Sequence, residues 1–150
     1  MTDPVPRARQ IAEAHRHLDG PVLPVLHAVQ AEFGHIPAET LPEIAHVLDL
    51  SRAELHGVVT FYPDFRTAPA GRYLLRVCRG EACQAMGGAE LGEALRRALS
   101  VDWHETTADG VVTLEPVYCL GLCSCAPAAT INGVPRGRAG AEALLAELEK

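Results

Sequence analysis

The chain has 150 residues, 48% of them hydrophobic, enough for one ordinary core or two small ones, so neither half needs to be disordered. A net charge of -6 without a long run of Lys or Arg excludes nucleic acid and anionic membranes as main partners, since phosphate neutralisation needs a basic face. The longest apolar stretches, such as Val22 to Val29, fall short of the roughly 20 residues that span a bilayer, and Met1 to Gln10 lacks the apolar segment of a secretory signal. A reducing, cytoplasmic setting with no direct membrane contact is therefore expected.

The first 65 residues read as helices joined by short loops. Ile11, Ala14, His15 and Leu18 recur at helical spacing, and Asp19-Gly20 stops that segment. Pro21 opens a second helix, where its missing N–H costs nothing, with Val22, Leu26, Val29 and Phe33 in one stripe and Gly34 at the end. Thr40 with Glu43 and Ser51 with Glu54 each have the spacing of a capping box. Behind them, Leu41, Ile44, Ala45 and Leu48 line one short helix, and Leu55, Val58 and Val59 another. These elements predict a helical bundle over residues 1–66.

Tyr62 to Gly71, with Pro63, Pro69 and Gly71, has the composition of a linker. Beyond it the period changes. Tyr73 to Val77 reads as a buried strand running into Cys78. Gly87 to Ser100 reads as a helix with Leu91, Leu95, Ala98 and Leu99 inward and Glu93 four residues before Arg97. Strands over 101–106 and 111–118 flank Asp109-Gly110. Ala129 to Ile131 and Val134 to Arg136 flank Asn132-Gly133, a strong hairpin signal. A last helix carries Leu144, Leu145 and Leu148. The fold class expected is α+β: the bundle, then a small α/β domain over 72–150.

All five cysteines lie in the second part, as Cys78-Arg-Gly-Glu-Ala-Cys83 and Cys119-Leu-Gly-Leu-Cys123-Ser-Cys125. Each group begins where a predicted strand ends, so if the two strands are neighbours, four thiolates converge at one sheet edge. A 2Fe-2S cluster needs four thiolates, two per iron, in loops whose N–H groups can face the sulfurs. Gly80, Gly87, Gly88 and Gly121 provide such loops. Structural zinc sites favour closely spaced pairs, commonly CxxC, and the CxxxxC pair is too open for that pattern. Zinc stays as the alternative, with a thiol redox site and unliganded buried cysteines behind it. Cys125 is expected to pack beside the site, with ligand substitution as its alternative role.

The seven histidines are scattered, and none lies within three residues of a cysteine. His15, His27, His46 and His56 are expected to be structural, and His104 falls in a predicted strand. Gly87-Gly88-Ala89-Glu90-Leu91-Gly92 only superficially resembles a dinucleotide fingerprint, because its glycines are misplaced. No phosphate loop or nucleophile triad is present, so no catalytic residue is assigned and no activity is expected of the chain alone.

On these residues the sequence resembles the thioredoxin-like 2Fe-2S subunits of NADH dehydrogenases, NAD-reducing hydrogenases and NAD-dependent formate dehydrogenases. The likeness rests on Leu26 through Pro37, Gly57 through Tyr62, Val77-Cys78, Ala82-Cys83, and Tyr118 through Cys123 with Ala126-Pro127. It implies one 2Fe-2S cluster on Cys78, Cys83, Cys119 and Cys123, and a helical domain before a thioredoxin-like α/β ferredoxin domain. Residues 79–87 and 104–118 are similar to the gamma subunit of soluble molybdenum-containing formate dehydrogenase. That branch implies an electron-transfer role beside a flavin subunit binding FMN and NAD and a large subunit holding the molybdenum cofactor. The equivalent subunit of NADH:quinone oxidoreductase or of an NAD-reducing hydrogenase is the alternative. A structural zinc or scaffold module is the reading from a different class. The residues Val58, Val59, Phe61, Tyr62 and Phe65 suggest either a docking face on the helical domain or simply part of its core.

Overall fold

A computed structural model of the chain describes residues 3–149, divided into two compact units, Met1–Pro69 and Ala70–Lys150. The first unit is helical: α1 (Pro4–His15), α2 (Val22–Phe33), a 3-10 turn (Ala38–Thr40), α3 (Leu41–Val47) and α4 (Arg52–Phe61). Ala8, Ile11 and Ala12 of α1 meet Val25, Leu26 and Val29 of α2, Ile44 of α3 and Leu55 of α4 in one core. Ion pairs from Arg7 to Glu32 and from Arg9 to Glu43 tie α1 to α2 and α3 at its solvent edge.

Two expectations are corrected here. The inward stripe of α1 is Ala8, Ile11 and Ala12, while Ala14 and Leu18 are exposed, because the helix starts at Pro4 and ends at His15. Thr40 precedes α3 but makes no capping bond: it is buried with helical backbone, and its hydroxyl donates to the Pro37 carbonyl at 2.7 Å. The segment after α4 contains the boundary between the two units, after Pro69, and its first part is tied to the helical unit. Gln30 of α2 donates to the Asp64 carbonyl and accepts the Arg66 N–H, each at 2.7 Å, and the Ile36 N–H donates to the Arg66 carbonyl. Phe65 is buried as a result.

The second unit is a five-stranded mixed sheet in the order β2-β3-β1-β4-β5, formed by β1 (Tyr73–Cys78), β2 (Glu105–Thr106), β3 (Val112–Val117), β4 (Ala129–Ile131) and β5 (Val134–Arg136). β1 and β3 are parallel neighbours, with Cys78 opposite Val117, and β4 runs antiparallel on the other side of β1. α5 (Glu81–Ala85) and α6 (Gly88–Leu99) make the crossover, and α7 (Ala141–Leu148) closes the unit. Leu75, Val77, Leu114 and Ile131 on one sheet face pack with Leu91 and Leu95 of α6 and Leu144 and Leu148 of α7. At the β4–β5 turn Asn132 and Gly133 both have positive φ, as a two-residue hairpin requires.

Differences from expectation are local. β2 is two residues long rather than six. Ala98 is exposed, so the inner face of α6 is Leu91, Gly92 and Leu95. Glu93 bonds the side chain of Arg96 rather than that of Arg97, which reaches back to the Glu93 carbonyl. Among the described residues no helix is long and apolar enough to cross a membrane.

Candidate iron–sulfur site

β1 and β3 are parallel and in register, so both cysteine groups leave the sheet at the same end, where the strands finish at Cys78 and Val117. The Cys78 N–H donates to the Ala128 carbonyl at 2.9 Å and the Arg79 N–H to the Val117 carbonyl at 2.7 Å. The first ligand group is thereby clamped between two neighbouring segments before it turns into α5. Cys83 is buried in that short helix.

α6 then starts directly against the ligand loop. A methyl group on Gly88 would lie 2.7 Å from the Cys83 carbonyl oxygen and 3.4 Å from that of Cys78, so only glycine allows this approach. Gly87 has a left-handed backbone just before the first turn.

The second group is more open. Cys119 has φ of 109°, a region that residues with a side chain seldom occupy, and such outliers concentrate at functional sites. The Gly121 N–H donates to the Cys119 sulfur at 3.4 Å. Cys119 and Cys123 are exposed, whereas Cys78 and Cys83 are buried.

The four thiols interact within and across the two groups: Cys78 with Cys83, Cys119 with Cys123, and Cys123 with both Cys78 and Cys83. Burial pushes the Cys78 thiol up, but the N–H groups of Gly80, Leu120 and Cys119 and the Cys83 thiol outweigh it, so its pKa is lowered. Cys83 is raised, first by burial and then by Cys78, against one N–H from Ala128. Cys123 is raised by the neighbouring Cys119 thiolate. Backbone donors thus point at the sulfurs from both loops, which is what stabilises charge on bound thiolates.

Among the described residues no group of three or more His, Cys, Asp or Glu side chains is placed to hold a metal ion. Four neighbouring thiols with N–H donors turned toward them have the chemistry that a 2Fe-2S cluster needs. Cys125 stands apart. Its sulfur donates to the Leu122 carbonyl at 3.4 Å and packs so closely on Gly137 that a methyl group there would lie 2.7 Å away.

Comparison with known proteins agrees with this geometry. Residues 8–150 match the family described as Thioredoxin-like [2Fe-2S] ferredoxin. The chain belongs to that family. It is 37% identical over 131 residues to NADH-quinone oxidoreductase subunit 2 of Thermus thermophilus, covering 85% of this chain and 72% of that protein. It is 33% identical over 118 residues to NADP-reducing hydrogenase subunit HndA of Solidesulfovibrio fructosivorans, covering 79% of this chain and 69% of that one. A crystal structure of NAD+-reducing [NiFe]-hydrogenase in the air-oxidized state superposes with a TM-score of 0.70 at 29% identity, over 86% of this chain and 22% of that chain. Some relatives are considerably longer: the match spans 50% of an NADH-quinone oxidoreductase subunit of Mycobacterium tuberculosis, at 37% identity over 125 residues.

As a family member the protein is a thioredoxin-like 2Fe-2S electron-transfer subunit with a single cluster. Sequence reasoning missed Ala128, which is fully buried and whose backbone contacts both cysteines of the first ligand loop, its carbonyl accepting the Cys78 N–H and its N–H donating to the Cys83 sulfur. The small-residue run Ala126-Pro127-Ala128-Ala129 directly after the last cysteine was the signal that could have found it. Of the residues suggested for docking on the helical unit, Val59 and Phe65 are buried in its core, while Phe61, 77% exposed, and Tyr62 remain on the surface.

Proposed function

We propose that Cys78 and Cys83 hold one iron of the cluster and Cys119 and Cys123 the other. On this reading the chain serves an NAD-linked complex of the NADH:quinone oxidoreductase or NAD-reducing hydrogenase kind. The observation that carries the ligand assignment is the emergence of two thiol pairs at the ends of two adjacent parallel strands, with N–H groups from both loops turned toward them.

When bound, a 2Fe-2S cluster supplies one-electron chemistry. NAD exchanges hydride, so a partner that converts between two-electron and one-electron steps is needed, and flavin does this. A flavin subunit binding FMN and NAD is accordingly the direct partner in this reading. The exposed pair Phe61 and Tyr62 offers apolar surface on the helical unit for such a partner.

The formate dehydrogenase branch, with its molybdenum-containing large subunit, rests on the likeness of residues 79–87 and 104–118 alone. The relatives described above are quinone-reductase and hydrogenase subunits, and they favour the alternative. A molybdenum-subunit gene beside this one would restore formate as the substrate.

The decisive experiment is iron and sulfide analysis of the purified chain, with EPR before and after reduction. About two irons and two sulfides and a signal only after reduction are expected from the cluster type. A colourless protein loaded with zinc from iron-replete cells would refute the assignment. Co-expression with the flavin subunit of a neighbouring gene should yield a complex in which NADH reduces the cluster.

A further inference from the structure

Arg79 follows Cys78 directly, and its guanidinium carbon lies 5.2 Å from the centre of the Trp103 ring. The indole is itself fixed against α6. A methyl group on Gly92 would lie 3.0 Å and 3.1 Å from two of its ring carbons. Gly88, one turn earlier on the same helix, abuts the Cys83 and Cys78 carbonyls. One turn of helix is about 5.4 Å of rise, so α6 ties the ligand loop and the Trp103 ring to neighbouring turns of one face. The guanidinium over that ring is held beside the ligand loop rather than extended into solvent.

Its charge is also uncompensated. Arg96, the second arginine near Trp103, pairs with Asp102 at 2.8 Å and with Glu93. Among the described residues Arg79 makes no ion pair, and its Nε is buried without a hydrogen-bond partner. A ring face attracts a guanidinium without neutralising it, and arginine keeps its charge throughout the physiological range.

We propose that Arg79, held by Trp103, is the cation that raises the reduction potential of the cluster; the inference rests on the ligand assignment above. Four thiolates and a 2Fe-2S core carry net negative charge, and reduction adds one more electron. A fixed neighbouring cation favours the reduced form more than the oxidised form, and such local charge is one of the determinants of these potentials. Trp103 is a positioning residue in this scheme.

The test is a redox titration followed by EPR on the full chain carrying its cluster. In Arg79→Gln the reduced-to-oxidised ratio at a given potential should fall by about threefold to tenfold, tenfold being 59 mV for one electron. Arg79→Lys, which keeps the charge, should stay nearer the wild type. Trp103→Leu, which releases the guanidinium, should shift in the same direction as the glutamine variant. A wild-type potential in a loaded glutamine variant overturns the proposal, as does an equal fall in the glutamine and lysine variants. Should the glutamine variant fail to retain iron, an unchanged potential in Trp103→Leu overturns it instead. A wild-type chain without iron and sulfide refutes the ligand assignment, a distinct result.

Discussion

The α-carbon of Gly88 faces the Cys83 carbonyl so closely that a single methyl group between them would sit 2.7 Å from its oxygen. Neither side can yield cheaply, because both are backbone, one in the first turn of α6 and the other in the ligand loop. Gly88→Ala should therefore displace α6 from the loop and reduce iron retention, as measured by the iron-to-protein ratio after gel filtration. Ala in place of Gly57, where a methyl group meets nothing within 4 Å, is the control and should retain iron fully.

Substitution of the four thiols should split by burial. Serine at Cys78 or Cys83 places a hydroxyl in a buried position framed by donors arranged for sulfur, so iron content should fall sharply. Cys119 and Cys123 are exposed, the first on a loop and the second at the start of a 3-10 turn, where serine can still approach iron as a harder ligand. Those variants should keep some cluster with an altered absorption and EPR spectrum. Equal iron content in all four would argue against this difference between the pairs.

Much of this arrangement was legible because short-range chemistry fixed it. Asn132-Gly133 adopts the positive φ pair of a hairpin, the Ser51 capping box forms, and β1 and β3 end where the cysteine groups begin. Thr40 misled because tertiary packing turned it inward, and its hydroxyl found the Pro37 carbonyl instead of a helix N–H. α5 has five residues, too few to show a period, and β2 has two. The contact between Arg79 and Trp103 spans 24 positions and leaves no local pattern, so only the folded chain reveals it. The docking residues suggested by the sequence divided by helix face: helical spacing placed Val59 in the core and left Phe61 outside.

The capping box at the start of α4 gives a prediction in the helical unit. The Ser51 hydroxyl accepts the Glu54 N–H at 3.1 Å, and the Glu54 carboxylate accepts the Ser51 N–H at 2.9 Å. Ser51→Ala should cost about 1 kcal/mol in denaturant unfolding followed by circular dichroism. Hydrogen bonds from the Ser51 N–H and hydroxyl hold the Glu54 carboxyl below its ordinary pKa. A lowered carboxylate stabilises the fold above its unfolded-state pKa, and the contribution is lost as pH falls through the folded value. Glu54→Gln should accordingly destabilise at neutral pH, and the gap to wild type should close in acid below the usual carboxylate range.

Cys125 supplies the last prediction. Its sulfur donates to the Leu122 carbonyl, its N–H donates to the same carbonyl at 3.0 Å, and its own carbonyl accepts the Arg138 N–H at 2.6 Å. These contacts fasten the segment after Cys123 to the stretch following β5, and the sulfur packs against Gly137 while doing so. The residue therefore acts through packing and backbone order. Cys125→Ser keeps a donor of similar size, so it should retain iron with at most a modest shift in potential. Gly137→Ala presses a methyl group against the Cys125 sulfur and β-carbon, at 2.7 Å and 2.9 Å, and should destabilise the second unit, with partial recovery in the Cys125→Gly background. Iron content and thermal unfolding of the single and double variants check both points. If Cys125→Ser loses its iron while Cys123→Ser keeps it, Cys125 and not Cys123 is the fourth ligand.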